Sequence, residues 1–427
     1  MKRTLLLGGI LTHLLGGDLA SAANVAPELY QALPALTLAS GASATPIPLA
    51  NHLRDPDVPG TAVQITVRLG TQTANLYLSL FDSATPLTVA NFKNYVTSGA
   101  YAANFFHRSL PGFILQNGGF RFLSNTTYEP VAALPPVVNE FGASNLRGTI
   151  AMAKLGGDPD SATSEWFINL ADNSANLDFQ NGGFTVFGRV LGNGMTGIVD
   201  VLANVPTYDA SGIDPAWTDI PLLAPSLTRY NCLESDAALV SPLAYQVSSD
   251  DPSLVTASIA NGVLQLTGSA SAAGQTTLRL TTTDLEGGTL ASSFPVTVLS
   301  SNPLVAWRQT NFATTADTGS AANLADPDAD GLVNLLEYAL GGNPLSPGGT
   351  GIPACVPIAG NLTLTYTRAQ PSGVTYLVQT TTDLTTPASW TTTGVTQGTP
   401  AGNGLTTASI PAGTGSRFLR LSVTPTP

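Results

Sequence analysis

The stretch Phe105–Phe120 constrains the fold of this chain more than any other part of the sequence. Within it, the apolar run Phe113–Leu115 is preceded by a Pro-Gly pair and followed, after two residues, by a Gly-Gly pair. An apolar run between two such turn signals predicts a short β-strand. Arg108 precedes this strand and Gln116 follows it, so we expect a guanidinium, an apolar wall and a side-chain amide on a shared surface.

The sequence around this stretch predicts a compact α+β unit. Alternating apolar residues in Val63–Leu69 and Leu76–Leu80 predict a β-hairpin with one buried face. Thr85-Pro86 is a typical helix start, and Gly99 is placed to end that helix. Three further strands are predicted at Ile150–Ala153, Trp166–Ile168 and Phe184–Val190.

Length and charge narrow the class of protein. A chain of 427 residues is too long for one hydrophobic core and predicts roughly two to four domains. Only 10% of the residues are charged, the formal net charge is −12, and Lys and Arg do not cluster. This pattern excludes nucleic acid as a partner. The 3 histidines, one of them close to the N-terminus, provide no histidine-based metal site or catalytic triad.

Residues 1–22 are predicted to be a secretory signal peptide. Lys2-Arg3 supplies the positive start, Leu5–Leu15 is mainly apolar, and Ala20-Ser21-Ala22 fits the small-residue cleavage pattern. This apolar run is too short to span a bilayer, and no later run is long enough. We therefore expect an exported protein without a transmembrane segment, located in the periplasm, at the cell surface or in the medium.

The two cysteines, Cys232 and Cys355, leave two alternatives in an oxidising compartment. They form one disulfide between distant segments, or they remain two small buried side chains. Their spacing favours neither alternative, because it does not show whether the two Cβ atoms meet.

Five motifs occur in order between residues 62 and 206. They are Thr88-Val89-Ala90-Asn91-Phe92, Phe106-His107-Arg108, Pro111-Gly112-Phe113-Ile114-Leu115-Gln116, Gly148-Thr149-Ile150-Ala151-Met152-Ala153 and Val186-Phe187-Gly188-Arg189-Val190. In order and spacing they resemble the cyclophilin family of peptidyl-prolyl isomerases. The resemblance implies a closed antiparallel β-barrel with two helices. It also implies rotation about Xaa-Pro bonds in proline-containing peptides or proteins, with no cofactor for catalysis.

The resemblance assigns roles to individual residues. It makes Arg108 the catalytic arginine, supported by Gln116, with Phe113 beside them in the catalytic group. Ala153 and Lys154 would meet the peptide mainly through backbone atoms. The residues implied to contact the substrate are Phe113, Ile114, Ala153, Lys154, Glu165, Phe167, Leu177 and Phe184.

Three positions depart from the family pattern. Glu165 stands where the family usually has glutamine, and it is either a solvated acid or a partner that holds Arg108 in place. Asn176 replaces a tryptophan found in many members, which implies poor binding of cyclosporin-type macrocycles. Phe184 replaces a frequent pocket histidine and keeps the wall apolar.

Two functions remain open at this point. The first is an exported prolyl isomerase, which Arg108, Phe113 and Gln116 favour. The alternative is a non-catalytic surface or adhesion protein whose cyclophilin-like domain binds proline-containing segments. Glu165 and the long β-rich C-terminal region favour this alternative. We predict the enzyme.

The sequence after the cyclophilin-like region is rich in short alternating strands. Residues 225–300 carry such strands at near-regular spacing and resemble bacterial immunoglobulin-like domains. Pro347–Pro427 is again β-rich, and we expect a small β-sandwich or a tail for attachment to the cell surface.

Between these regions, Asp326–Glu337 has the spacing of oxygen donors found in EF-hand calcium loops. The alternative is a polar turn rich in acids. No helix is evident before the loop, so a dockerin-like or thrombospondin-type loop is a nearer match than a full EF-hand. The predicted ligands of a structural Ca²⁺ are Asp326, Asp328, Asp330, Asn334 and Glu337, with the backbone carbonyl of Leu332.

The sequence therefore predicts a mainly β, multidomain protein. Residues 23–60 are too few to fold alone, and they form an edge of the first domain or a detached strand of a later one. The predicted segments are a signal peptide at 1–22, an N-terminal β segment at 23–60, a cyclophilin-type domain at 61–207, an immunoglobulin-like β-sandwich at 208–300, a calcium-loop segment with a short helix at 301–346 and a C-terminal β-rich domain at 347–427.

Overall fold

The computed structural model describes residues 24–348, 352–370 and 372–426. The predicted signal peptide, residues 1–22, lies outside the described residues. The chain divides into two compact units, and each unit combines segments that are distant in sequence. The first contains residues 24–32, Leu49–Gln246 and Thr281–Ser292, and the second contains Leu33–Pro48, Val247–Leu280 and the described residues from Ser293 onward.

The first unit is built on an antiparallel sheet of 11 strands. In spatial order the strands are Tyr128–Pro130, Phe120–Phe122, Asn104–Phe105, Glu234–Val240, Ala62–Leu69, Gln72–Leu80, Val186–Val190, Thr149–Met152, Trp166–Asn169, Ile114–Asn117 and Arg108–Leu110. Two short ladders accompany this sheet: Glu28–Leu29 with Leu53–Arg54, and Thr207–Tyr208 with Ile220–Pro221.

The sheet curves until it returns to one stretch of chain, Asn104–Leu110. The first two residues of this stretch pair with Glu234–Val240, and its last three pair with Ile114–Asn117. Between these ladders the backbone N–H of Phe106 donates to the carbonyl of Leu233 at 3.0 Å. The same stretch of chain therefore takes part in ladders near both ends of the strand order.

The predicted hairpin and helix of the first unit are confirmed. Ala62–Leu69 pairs along its whole length with Gln72–Leu80, and alternate side chains of both strands are buried. The helix Pro86–Thr97 packs Phe92 into the same core, where its ring centroid lies 5.1–5.9 Å from three other aromatic rings. The remaining helical segments of this unit are Leu49–Asn51, Ser174–Leu177, Gln180–Gly182, Met195–Val199 and Asp200–Ala203.

The predicted domain boundary at residue 207 cuts through this unit. Glu234–Val240 pairs with Ala62–Leu69 over seven positions, and Leu233 is fully buried in the same core. The intervening segment packs Trp217 against three phenylalanines of the sheet. The strand reads Glu-Ser-Asp-Ala-Ala-Leu-Val, and its polar first half gives no apolar alternation, so pattern reading missed it.

Two smaller sheets occupy the region predicted to be immunoglobulin-like. Their strands are Leu243–Ser249, Gly274–Asp284, Thr289–Val298 and Leu36–Leu38 in one, and Val255–Ala260, Val263–Gly268 and Ile47–Pro48 in the other. The N-terminal segment supplies one strand to each sheet: Leu36–Leu38 runs parallel to its neighbour, and Ile47–Pro48 runs antiparallel. Residues 24–60 are therefore shared between the two units, while the immunoglobulin-like identity stays a prediction.

The rest of the second unit combines two helices with six strands. The helices are Pro303–Phe312 and Asn334–Leu340, with 3₁₀ turns at Gly319–Ala321 and Pro387–Ser389. The strands are Ala354–Ile358, Asn361–Thr367, Leu405–Pro411 and Thr396–Gln397 in one sheet, and Val374–Thr381 and Phe418–Pro425 in another.

The helix Pro303–Phe312 was not predicted, although its start signal is present in the sequence. The side chain of Asn302 accepts hydrogen bonds from the backbone N–H groups of Leu304 and Val305, at 3.0 and 3.4 Å. Leu304 and Tyr338 lie in one core with residues of the C-terminal strands. The predicted boundary at residue 346 therefore divides residues that share a core.

Both cysteines are free thiols. Cys232 is buried and Cys355 is exposed, so neither of the two alternatives for this pair describes the structure. Burial, together with the nearby charge of Glu234, raises the pKa of the Cys232 thiol to about 12. None of the helices in the described part of the chain is long and apolar enough to cross a membrane.

A group of acids is buried in the first unit. Asp55, Asp57 and Asp284 are 3%, 8% and 7% exposed, and Arg189 Nη2 lies 3.2 Å from Asp57 Oδ1. Burial raises the pKa of Glu286 to about 7, and the charges of the three aspartates add to this effect against the opposing charge of Arg189. The folded state therefore holds a proton on Glu286 at a pH where the unfolded chain has released it.

The first prediction concerns the boundary. Leu233→Ala should lower the free energy of unfolding by about 2–5 kcal/mol, because it leaves a cavity in the core of the first unit. Leu239→Ala is the matched control. Leu239 lies in the strand Glu234–Val240, which begins directly after Leu233, and it is 39% exposed. Denaturant titration measures both. Equal, small losses would mean that the segment after residue 207 does not belong to this core.

The second prediction concerns pH. The stability that Glu286 contributes is fully present below its ordinary pKa of 4.5 and is lost as the pH rises through about 7. Glu286→Gln stays neutral, so thermal unfolding should show a flatter pH profile and a higher melting temperature than the parent above pH 7. Glu129→Gln, at a half-exposed ion pair with Arg121, should keep the parent profile. An unchanged slope in Glu286→Gln would contradict the assignment.

Candidate functional site

Three predicted site residues lie opposite one another on neighbouring strands. Arg108 pairs with Gln116, and Gln116 pairs with Phe167. Residues directly opposite in a ladder project to the same face of a sheet. The guanidinium of Arg108, the amide of Gln116 and the ring of Phe167 therefore share one face of the sheet.

A chain of hydrogen bonds links the polar members of this site. Arg108 Nη1 donates to Gln116 Oε1 at 3.4 Å, and Gln116 Nε2 donates to Glu165 Oε2 at 2.6 Å. The Gln116 amide is therefore held at both ends, with its oxygen toward the arginine and its nitrogen toward the acid. Glu165 is thus a hydrogen-bond partner of Gln116, and its side chain remains 38% exposed to solvent.

The environment of Glu165 keeps its carboxylate charged. Burial acts to raise the pKa of this group, but His107, Gln116 and Arg108 together outweigh burial and lower the pKa below its ordinary value. His107 Nε2 lies 3.4 Å from Glu165 Oε2, and the His107 side chain is 1% exposed. The imidazole packs on the edge of Phe120 with ring centroids 5.2 Å apart, which holds it beside the carboxylate.

An apolar cluster borders the polar group. Ile114, Phe167 and Leu177 are buried in it, over Ala151 and Val186 of the neighbouring strands. Phe113, Ala153 and Phe184 are only partly buried and line its accessible side. The rings of Phe167 and Phe184 meet edge to face with centroids 5.9 Å apart. All the predicted apolar pocket residues therefore lie in one cluster.

The side chain of Lys154 contacts other residues of the protein. Its ammonium group donates to the carbonyls of Asn181 and Gly183 at 2.8 and 2.6 Å, and it lies 5.0 Å from the centroid of the Phe184 ring. Burial lowers the pKa of Lys154, against the opposing charges of Asp160 and Asp158. This side chain therefore fixes the loop that carries Phe184, which leaves only the Lys154 backbone for a peptide.

Three buried asparagines form a hydrogen-bond network next to the site. They were not predicted from the sequence. Asn173 Nδ2 donates to the carbonyl of Phe113 at 2.8 Å and to Asn169 Oδ1 at 2.7 Å. Asn169 Nδ2 donates in turn to Asn145 Oδ1 at 3.2 Å. The network ties Phe113 to the turn that presents Leu177. Its only signal in the sequence is a polar residue at the end of the apolar strand Trp166–Asn169.

Comparisons with known proteins agree with this arrangement. A family model described as "Cyclophilin type peptidyl-prolyl cis-trans isomerase/CLD" matches residues 64–219. A peptidyl-prolyl cis-trans isomerase of Acinetobacter baylyi is 41% identical over 144 residues, which are 33% of this chain and 73% of that protein. Peptidyl-prolyl cis-trans isomerase A of Dickeya dadantii is 45% identical over 145 residues, 33% of this chain and 72% of the relative.

A third relative, peptidyl-prolyl cis-trans isomerase B of Escherichia coli, is 36% identical over 147 residues, 33% of this chain and 85% of that protein. The similarity thus covers more than two thirds of the length of each of these relatives. The residues matched by the family model, 64–219, include the strands that carry Arg108, Gln116 and the apolar cluster. The chain belongs to the cyclophilin-type peptidyl-prolyl cis-trans isomerase family and is an enzyme of that type.

Proposed function

We propose that Arg108 catalyses rotation about Xaa-Pro bonds by stabilising the twisted amide. Rotation has a barrier of about 18–20 kcal/mol, because the planar amide loses its resonance. In the twisted state the prolyl nitrogen regains a lone pair that accepts a hydrogen bond. A donor that meets this nitrogen only in the twisted state lowers the barrier, since it stabilises the transition state more than the ground state.

The contact between Arg108 and Gln116 carries this proposal. Gln116 Oε1 accepts from Nη1 of Arg108, and the strand register places both beside the apolar cluster. One edge of the guanidinium is thus oriented by the protein, and the group is always charged. A donor that is already oriented requires no reorganisation energy when the amide twists.

The apolar cluster would hold the proline ring while the rest of the peptide rotates. Phe113 and Phe184 form the accessible wall, and Phe167 lies buried between the wall and the sheet. Such a surface excludes water from one side of the amide, which strengthens the hydrogen bond from Arg108. No step needs a proton donor or a nucleophile, so His107 acts only as a neighbour of Glu165.

Glu165 would act as a positioning residue. Its carboxylate accepts from Gln116, so the amide cannot turn its nitrogen toward Arg108. A glutamine at this position offers an oxygen to the same Gln116 nitrogen. The acid therefore replaces the glutamine that is usual in the family without removing the hydrogen-bond chain.

We further propose that the enzyme acts outside the cytoplasm on proline-containing segments of exported proteins. The basic start, the apolar run and the small-residue site of residues 1–22 support this location. Expression of the full chain in a bacterial host should give a mature protein that begins near Ala23. Retention of an uncleaved chain in the cytoplasm would contradict the proposed location.

The third prediction tests the arginine. Arg108→Ala should lower kcat/KM by about 10²–10³, the usual loss when one oriented donor to a transition state is removed. Exchange between the cis and trans forms of a short Xaa-Pro peptide, followed by NMR, measures the rate. Arg121→Ala is the control, because Arg121 is half-exposed and pairs with Glu129 on an outer strand. Parent-like exchange in Arg108→Ala would exclude the arginine from the mechanism.

The fourth prediction tests Glu165. Glu165→Gln should keep turnover within about fivefold of the parent, since a neutral hydrogen bond replaces a charge-assisted one at a difference on the order of 1 kcal/mol. Glu165→Ala removes the acceptor for Gln116 and should lower turnover further, with little change in KM. A large gain in Glu165→Gln would show instead that the negative charge opposes Arg108.

A further inference from the structure

We propose that the loop Asp326–Glu337 binds one Ca²⁺ ion and that this ion stabilises the C-terminal core of the second unit. The proposal is independent of the isomerase site, which belongs to the first unit. It rests on how the loop uses its side-chain oxygens, on two buried residues that close it, and on the helix that begins there.

The aspartates of the loop bring their carboxylates together. One oxygen from each of Asp326, Asp328 and Asp330 lies within 4.8 Å of the others. Like charges at this separation repel each other, and a lysine or arginine does not pair with them in the described residues. A cation between the carboxylates would remove this repulsion.

The aspartates use side-chain oxygens to shape the loop. Asp326 Oδ2 accepts from the backbone N–H of Gly331 at 2.9 Å, and Asp328 Oδ1 accepts from that of Asp330 at 3.2 Å. Asp330 uses both oxygens: Oδ1 accepts from the N–H of Leu332 at 2.9 Å and Oδ2 from that of Gly348 at 3.2 Å. The second oxygens, Asp326 Oδ1 and Asp328 Oδ2, are buried and have no hydrogen-bond partner in the described chain. The loop backbone therefore holds these oxygens in place for another ligand.

Two buried residues provide an independent observation. Asn334 and Glu337 are each 1% exposed. Asn334 Nδ2 donates to the carbonyls of Ser320 and Ala322, both at 2.8 Å, which fixes the amide and leaves its oxygen free. Asn334 Oδ1 and Glu337 Oε2 find no hydrogen-bond partner among the residues described. Burying an oxygen without a hydrogen-bond partner costs free energy, and burying an unpaired carboxylate costs much more.

Glu337 stands at the twelfth position of the loop, and its Oε2 is buried without a partner in the described chain. An acidic turn at the surface would expose such a carboxylate to water, where its charge costs far less than in the interior. The loop spacing therefore adds a fourth carboxylate that a cation would neutralise.

The donors identify the ion as calcium. They are all oxygens, and the loop spacing adds a backbone carbonyl at Leu332. Ca²⁺ takes about six to eight oxygen ligands at distances of about 2.3–2.6 Å in flexible geometry, whereas Mg²⁺ requires a tighter octahedron and keeps several waters. A loop with five side-chain donors therefore fits Ca²⁺ better. Gly331 has φ +93°, which permits the sharp turn in the middle of the loop.

The ion would also fix a helix of the C-terminal core. Asn334 and Glu337 lie on the helix Asn334–Leu340, whose next residues, Tyr338 and Ala339, are buried in that core. The hydroxyl of Tyr376 donates to the carbonyl of Ala339 at 2.7 Å, which ties the helix to the C-terminal strands. Ion binding at the start of the helix therefore stabilises the folded state of this part of the second unit.

The test uses the full mature chain after calcium has been removed with a chelator. Calorimetric titration with Ca²⁺ and then with Mg²⁺ measures binding, and thermal unfolding with and without Ca²⁺ measures the stabilisation. Glu337→Gln removes one ligand charge, and Asp383→Asn is the control, since it removes one charge from an exposed turn of the same unit. Both variants are checked for folding by circular dichroism.

Calcium should affect the unfolding temperature of the parent and that of Glu337→Gln differently. Without calcium, Glu337→Gln should unfold at a higher temperature than the parent, because the buried charge is gone. With calcium, the parent should gain stability, while Glu337→Gln should bind one fewer ion, or bind it at least about tenfold more weakly. Asp383→Asn should behave as the parent, and prolyl isomerisation should be the same with and without calcium.

Three results would overturn the proposal. The first is a folded parent that shows neither heat of binding nor a shift in unfolding with calcium. The second is Glu337→Gln with the full calcium response of the parent. The third is an equal loss of response in Asp383→Asn, which would show general attraction of cations to an acidic protein. None of these results bears on the isomerase, whose activity is measured separately in the same samples.

Discussion

The stretch Asn104–Leu110 is hydrogen-bonded on both sides, and the site depends on this constraint. One side of the stretch meets Glu234–Val240 and the other meets Ile114–Asn117. The ladder with Ile114–Asn117 sets Arg108 opposite Gln116, and the ladder with Glu234–Val240 anchors the start of the same stretch. Arg108, the arginine of the proposed mechanism, is thus positioned by backbone pairing first, and by the side chains of Gln116 and Glu165 second.

Much of the first unit could be predicted because its signals are local. The hairpin, the helix and the strands around Phe113 and Phe167 each carry their own periodicity or turn residues. The strand Glu234–Val240 could not be found in this way, since its partner lies about 170 residues earlier and its own pattern is polar. The asparagine network was missed for a similar reason, because only folding brings Asn145, Asn169 and Asn173 together.

The acids of this chain show how one residue type takes different roles according to its surroundings. Glu165 has partners that favour its charge, whereas Glu286 is partly buried beside other acids that oppose its charge. Glu337 resembles Glu286 in this respect, but we propose that a cation neutralises it together with the unpartnered oxygens of the loop. Sequence spacing indicated the loop, and only the structure showed which oxygens were already engaged.

The central claim is that a directed donor, rather than positive charge alone, lowers the barrier to rotation. Arg108→Lys tests it most directly, because lysine keeps the charge but not the planar fork. NMR exchange on a saturating Xaa-Pro peptide should show that Arg108→Lys loses most of the acceleration while the peptide still binds. A lysine variant that exchanges as fast as the parent would contradict the account, since charge alone would then suffice.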